Sequence, residues 1–92
     1  MIKSFRYKGL EKFFLTKSKA GIQAHHAKKL TIQLGVLHTM ETIDEMDVSG
    51  WGLHPLHGDL EHHWAVKVNG NWRLTFKFEG RNVYLIDYQD YH

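Results

Sequence analysis

The chain has 92 residues, of which 42% are hydrophobic and 24% charged, which predicts one folded domain spanning 1–92 and excludes a disordered tail. Cysteine is absent, so a disulfide framework and a thiolate metal site are excluded. The chain also lacks a signal peptide and the run of about 18 apolar residues that a membrane helix needs. We therefore expect a soluble, cytoplasmic protein without membrane contact.

Positive charge is concentrated at the start of the chain, although the formal net charge is only +2. Residues 1–30 contain eight basic side chains and one acidic side chain, a net charge of +7. Residues 31–92 contain four basic and nine acidic side chains, a net charge of −5. Concentrated positive charge attracts polyanions, and a phosphate backbone is the commonest such partner. The alternative is a solvated face without a ligand, and charge alone does not separate the two.

The first half of the chain predicts a short strand and two helices. Residues 2–5 can form the strand, and apolar residues at spacings of three and four then predict a helix that begins at Gly9. The same spacing predicts a second, longer helix from about Gln23 to Leu37. The acidic stretch 41–52 that follows is interpreted as a loop.

The second half of the chain predicts a three-stranded antiparallel meander. Apolar and polar residues alternate in 64–68, 72–78 and 83–88, and these segments are separated by turn residues. The sequence therefore predicts an α+β fold with a short N-terminal strand, two helices and a three-stranded meander.

The alternation also predicts how the first two strands of the meander pair. A loop that includes Asn71 keeps the apolar residues on one face, because side chains alternate with period two. The expected pairs are Val68 with Trp72, Val66 with Leu74, and Trp64 with Phe76. The opposite face then carries Lys67, Arg73, Thr75 and Lys77. Like charges paired across strands are unfavourable, so Lys67 beside Arg73 predicts a bound anion.

Three motifs contain groups that can move protons or hold a phosphate: His54-Pro55-Leu56-His57-Gly58-Asp59, Asn71-Trp72-Arg73 and Asp90-Tyr91-His92. RNA cleavage without a metal needs a base for the 2′-hydroxyl proton, cations for the charged transition state, and an acid for the departing 5′-oxygen. Histidine suits both proton-transfer roles because its ordinary pKa, about 6.5, lies near cellular pH. The motifs therefore favour metal-free RNA cleavage.

The candidate catalytic roles follow from the side chains. His92 is our first choice for the general acid, because Asp90 and the terminal carboxylate favour its protonated form. His54 and His57 are both candidates for the base. Arg73 can bind two phosphate oxygens at once. Tyr91 can stack on a base or donate its hydroxyl to phosphate.

The order of elements and motifs resembles the RelE superfamily of toxins from bacterial toxin-antitoxin pairs, and within it the HigB family. The resemblance covers nearly the whole chain, through Ile2-Lys3-Ser4-Phe5, Lys8-Gly9-Leu10, Leu53-His54-Pro55-Leu56, Gly58-Asp59, Trp64, Asn71-Trp72-Arg73, Thr75-Phe76 and Asp90-Tyr91-His92. It implies an endonuclease that cleaves translated mRNA in the A site of the 70S ribosome without a cofactor. It also implies inhibition by a HigA-like helix-turn-helix antitoxin. The toxin would then contact operator DNA only through this antitoxin. The expected RNA-binding residues are Lys67, Asn71 and Lys77.

The chain departs from that family at Leu60, His62 and His63, and at one further position that matters for the chemistry. HigB toxins commonly carry a lysine after the His-Pro-Leu motif, whereas this chain has His57, so a fixed cation is replaced by a titratable ring. Two hypotheses follow: cleavage depends more steeply on pH, or His57 itself is the base.

Other interpretations of the same residues stay open. The terminal Asp-Tyr-His can be a frayed end, and Arg73 can form a structural salt bridge with Asp87 or Glu61. The histidines and acids of 54–63 resemble a zinc site, but adjacent strand residues point to opposite faces, so we expect no metal. The RelE superfamily also includes ParE toxins, which act on DNA gyrase without cleaving RNA, and a contact inhibitor of that kind is the alternative function. Trp64 and Trp72 are interpreted as core residues.

Overall fold

Two α-helices precede the strands in the chain. The structure is a computed structural model that describes residues 1–91. Helix α1 spans Lys8–Thr16, and α2 spans Ala27–Thr39 directly after a 3₁₀ turn at Ala24–His26. Both predicted helices are confirmed. Helix α1 ends because Lys17 adopts a left-handed conformation with φ 67°, from which its N–H bonds to the carbonyl of Phe13.

The acidic stretch contains more structure than the loop that the sequence predicts. A 3₁₀ helix spans Ile43–Met46, and a reciprocal cap closes its first turn. The Glu45 carboxylate accepts the N–H groups of Glu41 at 2.7 Å and Thr42 at 3.2 Å. These bonds lower the pKa of the Glu45 carboxyl below its ordinary value. Met46 is fully buried, so this segment packs onto the core instead of lying free in solvent.

Among residues 1–91 the sheet has four strands in the order β1-β2-β3-β4, and all neighbours are antiparallel. The strands are β1 at His54–Pro55, β2 at His63–Asn69, β3 at Trp72–Glu79 and β4 at Asn82–Asp90. The α+β class is confirmed, and the predicted meander gains β1 at its edge. A strand of two residues is too short to show alternation, and its Pro55 fits only an edge position.

The short strand predicted for residues 2–5 is not continuous, and these residues lie along β4 with isolated bridges only. Ile2 and Phe5 make single parallel bridges to Val83 and Ile86. Between these bridges β4 has an irregularity in its pairing with β3, and Leu85 adopts φ 56° there. The irregularity brings both Val83 and Ile86 to the buried side, although residues three positions apart point to opposite faces of a regular strand.

The predicted pairing of β2 with β3 is correct for two of three pairs. Val66 pairs with Leu74, and Trp64 pairs with Phe76, as expected. The third prediction was wrong, because Trp72 pairs with Asn69 and the register shifts at Val68. The shift lets a shorter turn keep Val68 buried, so the predicted faces of the sheet are retained.

One apolar cluster joins the helices to one face of the sheet. Its fully buried members include Leu10, Leu30, Leu34, Leu37, Leu74 and Phe76. Trp64 and Trp72 are half-buried and pack against this cluster, in agreement with their interpretation as core residues. Between residues 1 and 91, no helix has the length and apolar character needed to span a membrane.

Candidate active site

The sheet face turned away from the apolar cluster carries polar side chains in cross-strand rows, because directly paired residues project to the same side. One row joins His54, Ala65, Thr75 and Asp87, and the next joins Lys67, Arg73 and Gln89. Lys77 lies further along the same side of β3. We call the side defined by His54, Lys67, Arg73, Thr75, Lys77, Asp87 and Gln89 the polar face.

Lys67 and Arg73 are direct partners across β2 and β3, which confirms that two cations share this position. The Lys67 side chain is exposed, while its backbone is fixed on both sides. Its N–H donates to the Trp51 carbonyl at 2.7 Å, and its carbonyl accepts the side-chain amide of buried Gln33 at 2.9 Å. The strand is therefore held firmly beneath the two cations, which together attract an anion.

The Arg73 guanidinium is oriented by the β2–β3 turn. Its Nη1 donates to the carbonyl of Gly70 at 2.8 Å and to that of Trp72 at 3.1 Å. Nε and Nη2 carry further N–H groups that can bind phosphate oxygens in a forked geometry. Within residues 1–91, neither Asp87 nor Glu61 forms an ion pair with Arg73. The salt-bridge interpretation of Arg73 with these two residues was therefore wrong.

The end of β4 is tied to the same turn. The Tyr91 N–H donates to the Asn71 carbonyl at 2.8 Å, which places two predicted site residues side by side. Asp90 pairs with Trp72, and its side chain therefore lies on the side of the sheet opposite Arg73. The Asn71 and Tyr91 side chains are exposed. Thus one end of the sheet brings Lys67, Asn71, Arg73 and Tyr91 together, with Asp90 behind them.

His54 reaches the polar face from the edge strand. It is exposed, and its Nδ1 lies 3.0 Å from the Gly52 carbonyl. A carbonyl only accepts hydrogen bonds, so Nδ1 carries the proton of this bond and Nε2 of the neutral ring keeps its lone pair. From strand spacing and rise, the Cα atoms of His54 and Arg73 are about 12 Å apart. Two side chains with a phosphate between them can span this distance.

His57 and Lys77 lie apart from this group. His57 is exposed and occupies the N-cap position of the 3₁₀ helix Gly58–Leu60, between β1 and β2, without a side-chain hydrogen bond to that helix. The Lys77 ammonium lies 2.7 Å from a Glu79 carboxylate oxygen, and this contact lowers the pKa of the Glu79 carboxyl. His92, the proposed general acid, lies outside the described residues.

Two polar-face residues, Asp87 and Gln89, were not predicted from the sequence to lie on this face, whereas Thr75 was. The Asp87 carboxylate accepts the Gln89 side-chain amide at 2.7 Å and the Tyr88 N–H at 2.9 Å. Asp87 and Gln89 alternate with buried Tyr88, so the period-two pattern points to them. The irregularity at Leu85 concealed which β3 residues they face.

A second group of polar residues is buried behind the same end of the sheet. His26 is 2% exposed, and its Nδ1 lies 2.6 Å from the Tyr88 hydroxyl. Burial, and then the charge of neighbouring His25, lowers the pKa of His26, so the neutral ring is favoured. Burial raises the pKa of Tyr88 in the same way.

The histidines of 54–63 do not converge on a common point. His63 is buried in β2, whereas His62 is exposed just before it. Over the 91 described positions, no cluster of three or more His, Asp or Glu side chains has the arrangement of a metal site. The zinc interpretation therefore finds no support in the arrangement of these side chains.

Comparisons with known proteins identify the family. Residues 3–92 match the family model described as RelE-like toxin of type II toxin-antitoxin system HigB. The chain is 38% identical over 92 residues, the full length of both proteins, to a Proteus vulgaris protein named Endoribonuclease HigB. A mutant of YafQ from E. coli has the same fold, with a TM-score of 0.58 at 17% identity over 98% of this chain and 91% of that one. The chain therefore belongs to the HigB family of RelE-like toxins.

Proposed function

We propose that this chain is a toxin that cleaves translated mRNA on the ribosome by acid-base catalysis without a metal. The single observation that carries the proposal is the pair Lys67 and Arg73 on a sheet face that His54 also reaches. The full-length relative named Endoribonuclease HigB supports the same activity.

Phosphate binding is the role of the two cations. Arg73 binds nonbridging oxygens of the scissile phosphate through Nε and Nη2, since its Nη1 is engaged by the turn. Lys67 adds a second positive charge from the paired position on β2. Charge increases on these oxygens when the 2′-oxygen attacks, so both cations bind the transition state more tightly than the substrate.

Proton transfer needs one group on each side of that phosphate. His54 Nε2 takes the proton of the 2′-hydroxyl, because Nδ1 is held by the Gly52 carbonyl. The 2′-oxygen then bonds to phosphorus, and the bond to the 5′-oxygen breaks. His92 donates the proton that the 5′-oxygen needs, which leaves a 2′,3′-cyclic phosphate and a free 5′-hydroxyl. His57 is the alternative base.

The exposed side chains at the turn position the RNA in this proposal. Asn71 and Tyr91 lie side by side, and Tyr91 offers a ring for stacking and a hydroxyl for phosphate. Lys77 binds a more distant phosphate after exchanging its contact with Glu79. Asp90 orients His92.

The partners in this proposal are mRNA, the A site of the 70S ribosome and a HigA-like antitoxin. Membership of a toxin-antitoxin family supports the antitoxin and the RNA. The antitoxin carries the helix-turn-helix domain, so operator DNA meets the toxin only through it. All of these partners are cytoplasmic, and we place the toxin there too.

The proposal is tested by cleavage of a reporter mRNA in a reconstituted translation system, with cut sites mapped by primer extension. We expect Arg73→Ala to lower the cleavage rate by about 100- to 1,000-fold, as removal of one transition-state contact does. Arg81→Ala is the matched control, because this exposed arginine lies in the β3–β4 turn away from the polar face. A wild-type protein that leaves mRNA intact but blocks DNA gyrase would contradict the proposal and favour the contact inhibitor.

A further inference from the structure

A cavity of about 440 Å³ lies behind the end of the sheet, on the side opposite Arg73. Its walls are Tyr7, Trp72, Tyr88 and Asp90, together with residues 20–23 of the loop before α2. We call it the aromatic cavity. Its volume falls in the range of small-molecule sites, about 300–1,000 Å³. Nothing in the proposed mechanism uses this space.

The loop wall of the aromatic cavity is held in place by close backbone contact. The Tyr7 hydroxyl donates to the Gly21 carbonyl at 2.6 Å. A Cβ atom on Gly21 would lie 2.7 Å from the Cα of Gly9, so only glycine permits this approach of the loop to α1. The cavity is therefore formed before any ligand arrives, which lowers the cost of binding.

The opposite wall is a set of stacked rings. The ring centroids of Trp72 and Tyr88 are 4.5 Å apart at an interplanar angle of 25°, and those of Tyr7 and Tyr88 are 6.2 Å apart at 29°. The Tyr88 hydroxyl is fixed by the Gln23 N–H at 3.3 Å and by His26 at 2.6 Å. Rigid aromatic walls beside polar backbone and carboxylate groups suit a flat ring with a polar edge.

The position of the cavity indicates which kind of flat ring it binds. Trp72 and Asp90 line it, and each is adjacent in sequence to a proposed substrate-binding residue, Arg73 or Tyr91. A nucleotide next to the scissile phosphate can therefore pass the strand ends and place its base behind them. We propose that the aromatic cavity binds a nucleobase of the RNA substrate beside the cleavage position. This inference rests on the proposed function.

Binding is measured by titrating the ¹⁵N-labelled full chain with the four nucleoside 5′-monophosphates. We expect shifts at the Gly21 amide and the Trp72 indole N–H with at least one nucleotide, and none at these positions with inorganic phosphate. Ala20→Trp, which places an indole at the exposed rim, should remove the shifts. Ala24→Trp is the matched control, since this exposed alanine lies outside the cavity wall and should retain them.

Cleavage in the translation system supplies the second readout. Ala20→Trp should lower kcat/KM by about 10-fold, the loss expected for one stacked base, and reduce the base preference at one position beside the cut. Unchanged cleavage and preference, or nucleotide shifts that persist in Ala20→Trp or never occur in the wild type, would overturn the inference. A wild type that binds nucleotides in the cavity but cuts no mRNA would contradict the proposed function alone.

Discussion

The two sides of the candidate site are supported in different ways. Arg73 and Tyr91 lie at the β2–β3 turn, where a side-chain bond to Gly70 and a backbone bond to Asn71 fix them. His54 lies on a two-residue edge strand, and the segment that follows it is exposed from His57 to His62. The proposed phosphate-binding side thus lies within the sheet, whereas the proposed base lies on its edge strand.

This difference indicates where a substitution can change activity without also changing stability. Substitutions near Arg73 disturb the turn and the packing of Trp72 on Tyr88, so stability and activity change together there. Substitutions in the exposed segment 57–62 leave the core intact, so activity can change alone. The departure of this chain at His57 falls in the second region.

The largest effect in this comparison is expected for a substitution of His54, which should lower activity without lowering stability. His54→Asn removes the imidazole base and should lower the cleavage rate by about 100-fold or more. The free energy of unfolding should change by less than about 0.5 kcal/mol, because the side chain is exposed. Cleavage kinetics and urea denaturation of the same preparations measure both quantities.

His57→Asn and His62→Asn are the comparison variants for His54→Asn. His62 is exposed and adopts φ 67°, a conformation that asparagine tolerates, so His62→Asn should cleave like the wild type. Full activity in His54→Asn together with a large loss in His57→Asn would transfer the role of base to His57.

A smaller effect is expected behind the β2–β3 turn, where pH acts on stability. Burial lowers the pKa of His26 in the folded chain, whereas the unfolded chain takes up the proton near the ordinary value of 6.5. The free energy of unfolding should therefore be highest above pH 6.5 and fall as the pH decreases below it. Denaturation curves between pH 5 and pH 8, roughly the range in which histidine titrates, measure this slope.

His26→Gln supplies the comparison for that slope. The variant lacks the titrating ring, so its unfolding free energy should fall less steeply below pH 6.5 than that of the wild type. Equal slopes would show that other groups cause the pH dependence and that folding does not lower the pKa of His26.

The smallest expected effect concerns the His57 side chain. His57→Lys replaces an imidazole with a fixed cation, so cleavage should lose part of its pH dependence. We expect a change of less than about 10-fold at any one pH, because exposed charges are screened by solvent. A pH–rate profile identical to that of the wild type would contradict a role for His57 in catalysis.

Much of the fold was predictable because periodicity reports burial. The buried leucines of α2 and the pairing of Val66 with Leu74 follow directly from spacings of three, four and two. Local irregularities were not predictable in this way. The shifts at Val68 and Leu85 depend on how the finished sheet packs, and β1 exists only because Ala65 and Trp64 offer it an edge.

The candidate site was predictable as a set of chemical groups and less so as a geometry. The pairing of Lys67 with Arg73 followed from the alternation of side chains along the strands, which can be read from the sequence. The placement of Asp90 behind the sheet depends on its pairing with Trp72, which the sequence did not specify. The aromatic cavity depends on contact between residues far apart in the chain, such as Gln23 and Tyr88, and no local pattern encodes it.

The parallel bridges from Ile2 and Phe5 to β4 have a consequence for folding. These residues precede every helix and strand, yet their hydrogen-bonding partners lie in the strand that follows every other described element. Such long-range closure is slow and comes late in folding. A chain that lacks β4 therefore cannot complete this part of the fold.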